Sequence, residues 1–298
     1  MSLAITIPAT VILGALCLFV LLGAKRQGIV PLCFFLAGVG CTVLRIAVMN
    51  TSVDPANGFY IETPVLTVFN VCIVAVLAAL CLLFFFTRKR SVYRPAGLRV
   101  PSDLTALFGA VGFAFAVQYC LSQLFQAPKI NIATAGMLFC AFVSLFTLLM
   151  TLATFERKLS PEASLAFLGP VLFSAIHLIS SFIEHITLAS VSEYLYDVGM
   201  LIFVLLFFFY DAKCRLTGGG HAGILRALAL GASIFTMVVC LPKLYFSGSS
   251  AAVFTEAFTP LYACYLFLLP YFLRRSCAVA TGPARAAGSA ETPPATDA

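Results

Sequence analysis

An all-α, polytopic transmembrane helix bundle is the fold class this sequence predicts, and three observations predict it. Charged residues are only 10% of the 298 and mean hydropathy is +1.04, whereas a soluble domain carries about a quarter charged residues. The apolar residues come in unbroken runs of about 20, the length of a membrane-spanning helix, and do not alternate as barrel strands would. Lys and Arg are concentrated in every second connection, which is the signature of a chain that crosses a membrane repeatedly.

Nine runs follow in order. The first, 3–23, begins at MSLAITIP, which has no basic lead, and Lys25-Arg26 come after it. That order is the reverse of a cleavable signal, so the run is expected to stay as a helix. The second, 29–49, ends at Asn50-Thr51-Ser52, a glycosylation sequon that matters only in a eukaryotic secretory setting. The third, 65–87, closes on LLFFFT before RKRSVYRPAGLR (88–99), a basic cluster that retains the loop and could hold anionic lipid. The fourth and fifth are 104–126 and 131–154. The sixth, 163–184, contains Pro170. The seventh, 191–210, opens on Ser190–Glu193, SVSE, a capping box. The eighth, 223–243, follows TGGGHAG, which lacks the Lys-Ser/Thr of a phosphate loop and reads as a linker. The ninth is 252–273. Residues 1–276 make the bundle. Residues 277–298 are rich in Pro, Ala, Gly and Thr and are expected to be a disordered cytoplasmic tail.

Fifteen of the eighteen Lys and Arg fall in alternate connections and the tail. This places the N-terminus outside and the C-terminus inside, and the cell (cytoplasmic) membrane is the expected location of this integral protein. Nine of the eleven cysteines lie inside apolar runs, with Cys214 and Cys277 in loops, and no CxxC occurs. They read as small hydrophobes. Trp is absent, so Tyr60, Tyr194, Tyr196, Tyr210, Tyr245 and Tyr271 are the expected interfacial anchors.

The four helices that run from inside to outside align as FLAGVGCTVLR, FGAVGFAFAVQ, FLGPVLFSAIH and LGASIFTMVVC. A small residue recurs at Ala37, Ala110, Gly169 and Ala232, and a polar one at Arg45, Gln118 and His177. This suggests hairpins duplicated in parallel, one known way of building a transporter, although close helix packing alone also asks for small residues.

Polar side chains gather at one depth. Counting about 1.5 Å per residue from the outer helix ends puts Arg45, Asn70, Gln118, His177, Asp197 and Glu256 roughly 8–12 Å below the surface. Ser181 follows His177 by one turn, and Glu184 and His185 continue that stripe to the mouth. Intramembrane ionisable groups usually face a bundle interior, so these residues are the candidate ligand-binding set of an outward-facing pocket. Arg45 and Asp197 are the expected ion pair, with Glu256 the second choice of partner.

The function expected is that of a small-solute transporter or ligand-sensing membrane protein, supported also by Pro170, Pro242 and Pro260 as helix interruptions. A non-catalytic subunit that binds a partner protein is the alternative. An intramembrane metalloenzyme using His177, His185 and Glu184, Glu193 or Asp197 ranks below both, because HExxH and HxxxH are absent. No catalytic constellation and no cofactor are expected. The expected partners are membrane lipid, a small ligand or a protein, and not nucleic acid.

Overall fold

The structure, a computed structural model, describes residues 3–23, 29–52, 60–87, 92–93, 102–126, 131–153, 165–185, 191–217, 221–247, 258–277 and 280–281. Among them are nine long helices: α1 (Leu3–Gly23), α2 (Ile29–Thr51), α3 (Pro64–Thr87), α4 (Ser102–Gln126), α5 (Ile132–Ala153), α6 (Leu168–His185), α7 (Val191–Thr217), α8 (Ala222–Phe246) and α9 (Pro260–Ser276). Six of these, α2 to α5, α7 and α8, are long and apolar enough to cross a membrane. The chain is a polytopic membrane helix bundle. A two-residue antiparallel pair, Val92–Tyr93 with Ala280–Thr281, links the α3–α4 connection to the segment after α9.

Three boundaries differ from the sequence reading in ways that matter. α7 runs seven residues beyond 210 and so carries Asp211 and Arg215 on a helix. α8 continues through Pro242 to Phe246, which makes Lys243 a helix residue rather than part of a connection. α9 begins at Pro260, so that proline starts a helix instead of interrupting one. A proline in the first turn loses nothing, since its missing N–H would have no helical partner there.

Contacts between helix ends fix the directions of six helices, with α2, α4 and α8 antiparallel to α3, α7 and α9. At one end the start of α4 meets the end of α9 (Thr105–Arg274), the start of α8 meets the end of α3 (Gly223–Thr87), and α8 bonds the end of α9 (Arg226 Nε to the Ser276 carbonyl, 2.7 Å). At the other, the end of α2 and the starts of α3 and α7 converge (Arg45, Asn70, Tyr196), as do the end of α8 and the start of α9 (Lys243, Tyr262). The first is called here the basic end, for Arg215, Arg226, Arg274 and Arg275. Reporters fused at residues 92 and 160 should report one side of the membrane, the cytoplasm, and reporters at 56 and 188 the other. A split within either pair would overturn the nine-helix path.

The core is built around the last two helices. α8 buries every residue from Ala229 to Cys240, and α9 buries Leu261 to Leu273 apart from Tyr262 and Phe267. α3, by contrast, buries Phe69, Ile73 and Leu80 and exposes Val71, Val74, Leu82, Phe85 and Phe86. In hydrocarbon an exposed Phe costs nothing, so close backbone approach rather than apolar burial decides which faces meet. Gly112 of α4 lies against the Cys264 carbonyl of α9, Gly38 of α2 against Met237 of α8, and Gly169 against Val143 and Ser144 of α5. Several buried hydroxyls are satisfied within their own helices, which suits hydrocarbon: Thr42 donates to the Gly38 carbonyl at 2.9 Å and Ser174 to that of Pro170 at 2.8 Å.

α7 and α8 share a reciprocal contact. GMLIF (199–203) and GASIF (231–235) run antiparallel, so the Phe235 ring covers Gly199 and the Phe203 ring covers Gly231. The two rings stack between the helices with centroids 5.0 Å apart.

Candidate functional site

The ammonium of Lys243 on α8 donates to Asp197 Oδ2 on α7 at 2.8 Å and to the Tyr262 hydroxyl on α9 at 2.6 Å. The Lys243 and Asp197 side chains are 2% and 6% exposed. Tyr196, the residue before Asp197, lays its ring 4.4 Å from the Arg45 guanidinium of α2 and donates its hydroxyl to Asn70 Oδ1 of α3 at 3.2 Å. Arg45 is 1% exposed. Five helices thus meet in one polar cluster. Asn70 also lines a surface hollow at the start of α3, together with Glu62, Thr63, Pro64, Leu66 and Thr67.

The expected Arg45–Asp197 pair is corrected on this point: among the described residues, the cation bonded to Asp197 is Lys243. Arg45 and Asp197 stand at the same end of the bundle, but counting along a helix says nothing of the angle around it. Lys243 projects from α8 between α7 and α9, while Arg45 meets the tyrosine ring beside the carboxylate.

His177 and Ser181 belong to a second group. His177 Nδ1 and the Tyr265 hydroxyl of α9 are hydrogen-bonded at 2.6 Å, with the rings nearly parallel and 5.7 Å apart. Tyr265 is fully buried, so this bond supplies the partner its hydroxyl needs away from water. Ser181 is buried one turn further along α6. Gln118 is exposed on α4, so the polar position shared by Arg45, Gln118 and His177 in the aligned segments has three different surroundings. Glu256 lies outside the described residues, as do the side chains of Glu184, His185 and Glu193.

A third cluster occupies the basic end. Asp211 of α7, 2% exposed, accepts from Arg215 Nε at 3.1 Å and from the Tyr271 hydroxyl at 2.9 Å, and forms an ion pair with Arg275 Nη2 of α9 at 3.0 Å. Arg215 also stacks on Phe167, ahead of α6, at 4.2 Å. The signal for this cluster in the sequence is Asp211 with Arg215, an i,i+4 pair. Tyr196 and Tyr271, expected as interfacial anchors, sit instead inside the two charge clusters.

Among the described residues, no three His, Cys, Asp or Glu side chains stand close enough together to hold a metal. Three tyrosines of α9 each bond a different helix: Tyr262 to α8, Tyr265 to α6 and Tyr271 to α7. α9 is therefore the strut that polar contacts fasten at three depths. The fold and these clusters define an integral membrane protein with buried ion pairs toward both ends of its central helices. No protein family, curated protein or solved structure matches the chain.

Proposed function

We propose that this protein carries a small solute across its membrane by alternating access, with α7 and α9 parting at one end and then at the other. The observation that carries the reading is that α7 is linked toward both ends, through Asp197 and Asp211, to charged and phenolic side chains that reach α9. The two carboxylates are fourteen residues apart, about 21 Å along the helix. Burying charge is a poor way to make a static bundle, since apolar residues of the same volume often hold a core equally well or better. Ion pairs that water or a ligand can replace are suited to contacts that must open. Between them, flat rings over glycines at the α7–α8 interface offer a surface with few side-chain obstacles to rocking. The hydrogen-bonded His177 and Tyr265 stand between Tyr262 and Tyr271 along α9, where a solute would be held between the two closures.

The test is flux into proteoliposomes from a panel of labelled amino acids, carboxylates, nucleosides and sugars. One class should show saturable uptake that is lost in both Lys243→Met and Asp211→Asn proteins that still melt cooperatively. A compound that raises the melting temperature yet shows no flux would replace transport with sensing.

A further inference from the structure

We infer that the Asp197–Lys243 closure is a proton site, so that opening this end of the bundle takes up a proton on Asp197. Both side chains are almost fully buried, and the ammonium is held at 2.8 Å from one carboxylate oxygen. Separating two full charges in such surroundings is opposed by desolvation of each. Something must therefore neutralise one charge before the helices part. A proton does so with the least rearrangement: it bonds to a carboxylate oxygen of Asp197, converting the carboxylate to a neutral acid, and hydronium in the adjoining water becomes water. Lys243 keeps its own protons and charge, and still has the Tyr262 hydroxyl at 2.6 Å.

The opposite closure is built differently. Asp211 is shared by two guanidiniums whose side chains are 22% and 15% exposed. Water therefore reaches the cationic partners there as soon as the helices move, and arginine does not give up its proton. Proton-linked opening is thus assigned to one end only.

The groups that face the pair are identifiable among the described residues. α2 contributes Arg45 through its contact with Tyr196, and α3 contributes Asn70, with Glu62 at the surface hollow. α9 contributes Tyr262, and α6 has His177, held by Tyr265. On α8 the Cys240 thiol lies within electrostatic reach of Lys243, Asp197 and Arg45. Of these, Asp197 is the carboxylate bonded directly to a buried ammonium. Coupling of proton to solute presupposes the alternating-access reading, whereas proton-linked opening does not.

The experiment is amide hydrogen exchange on the full chain in lipid nanodiscs, without solute, at about pH 8 and about pH 4, a span that crosses the ordinary range of histidines and reaches that of carboxylates. Rates are corrected for the intrinsic pH dependence of exchange. In the wild type, exchange at the start of α7 and the end of α8 should rise at least several-fold at the lower pH, while the end of α7 near Asp211 changes little. Asp197→Asn should show the raised exchange at both pH values. Asp197→Asn/Lys243→Gln leaves neither charge at the closure and should also lose the pH response, which covers the case in which the single variant does not fold. His177→Gln should keep the response. A wild type whose α7 start exchanges equally at both pH values overturns the inference by itself, and so does a response that survives removal of the carboxylate or disappears with His177. Flux without the pH response would leave transport standing and remove the proton. The pH response without flux would do the reverse.

Discussion

Lys243→Met should cost the detergent-solubilised protein about 3–5 kcal/mol, because it leaves the Asp197 carboxylate buried without its ammonium. Asp197→Leu should cost a similar amount for the converse reason. The double variant, Asp197→Leu/Lys243→Met, should recover much of the loss, since two apolar side chains of suitable volume leave no buried charge behind. The coupling between the two positions should therefore lie well outside the few tenths of a kcal/mol seen for independent sites. Denaturation midpoints of the four proteins in one mixed-micelle system measure it. Strictly additive losses would mean that the pair contributes nothing as a pair. The same cycle run on Arg45 and Asp197 should return the smaller coupling, because Arg45 meets the ring of Tyr196 beside the carboxylate.

That contrast marks where sequence reasoning stops. The helices were legible because runs of about 20 apolar residues have few other uses, and eight of the nine predicted starts fall within five residues of those observed. Proximity was legible in part: Arg45 and Asn70 both meet Tyr196, the residue beside Asp197, at the end opposite the basic one. Azimuth was not. A helix that is apolar all round, such as α3 or α8, shows no stripe that says which face points inward. Gln118 and His177 therefore looked equivalent, although one is exposed and the other is bonded to Tyr265. Lys243 was missed for a different reason. It closes the apolar run 223–243 and so counts as a connection residue, whereas α8 continues for three residues past it. Asp211 was missed because seven further residues of α7 are polar enough to resemble a connection. Their apolar-side partners, Phe167 and Tyr271, are distant in sequence and supply no local signal.

The glycines offer the second large effect, together with an internal control. A Cβ built on Gly112 of α4 would stand 2.7 Å from the Cys264 carbonyl oxygen and 3.2 Å from the Phe267 Cβ of α9. A backbone carbonyl inside a helix cannot rotate away, so α4 and α9 would have to separate. Overpacking of this kind costs about 1–3 kcal/mol, and more when the backbone itself is the obstacle. Set against it is the helix propensity of alanine, which favours Gly→Ala by roughly 1 kcal/mol at a site with room. Gly40 of α2 is such a site: nothing lies within 4 Å of its Cβ position. Gly40→Ala should therefore be neutral or slightly stabilising, Gly112→Ala clearly destabilising, and Gly112→Leu unable to fold. The loss at Gly112 should also reach beyond α4, because α9 carries Tyr262, Tyr265 and Tyr271 to their partners on α8, α6 and α7. Moving that strut by even an ångström lengthens bonds of 2.6–2.9 Å past the range in which they hold. Melting temperatures of the two alanine variants, read beside hydrogen exchange at the two charge clusters, and the yield of folded Gly112→Leu protein give the answer. Equal stability of Gly112→Ala and Gly40→Ala would show that α4 and α9 do not pack this closely.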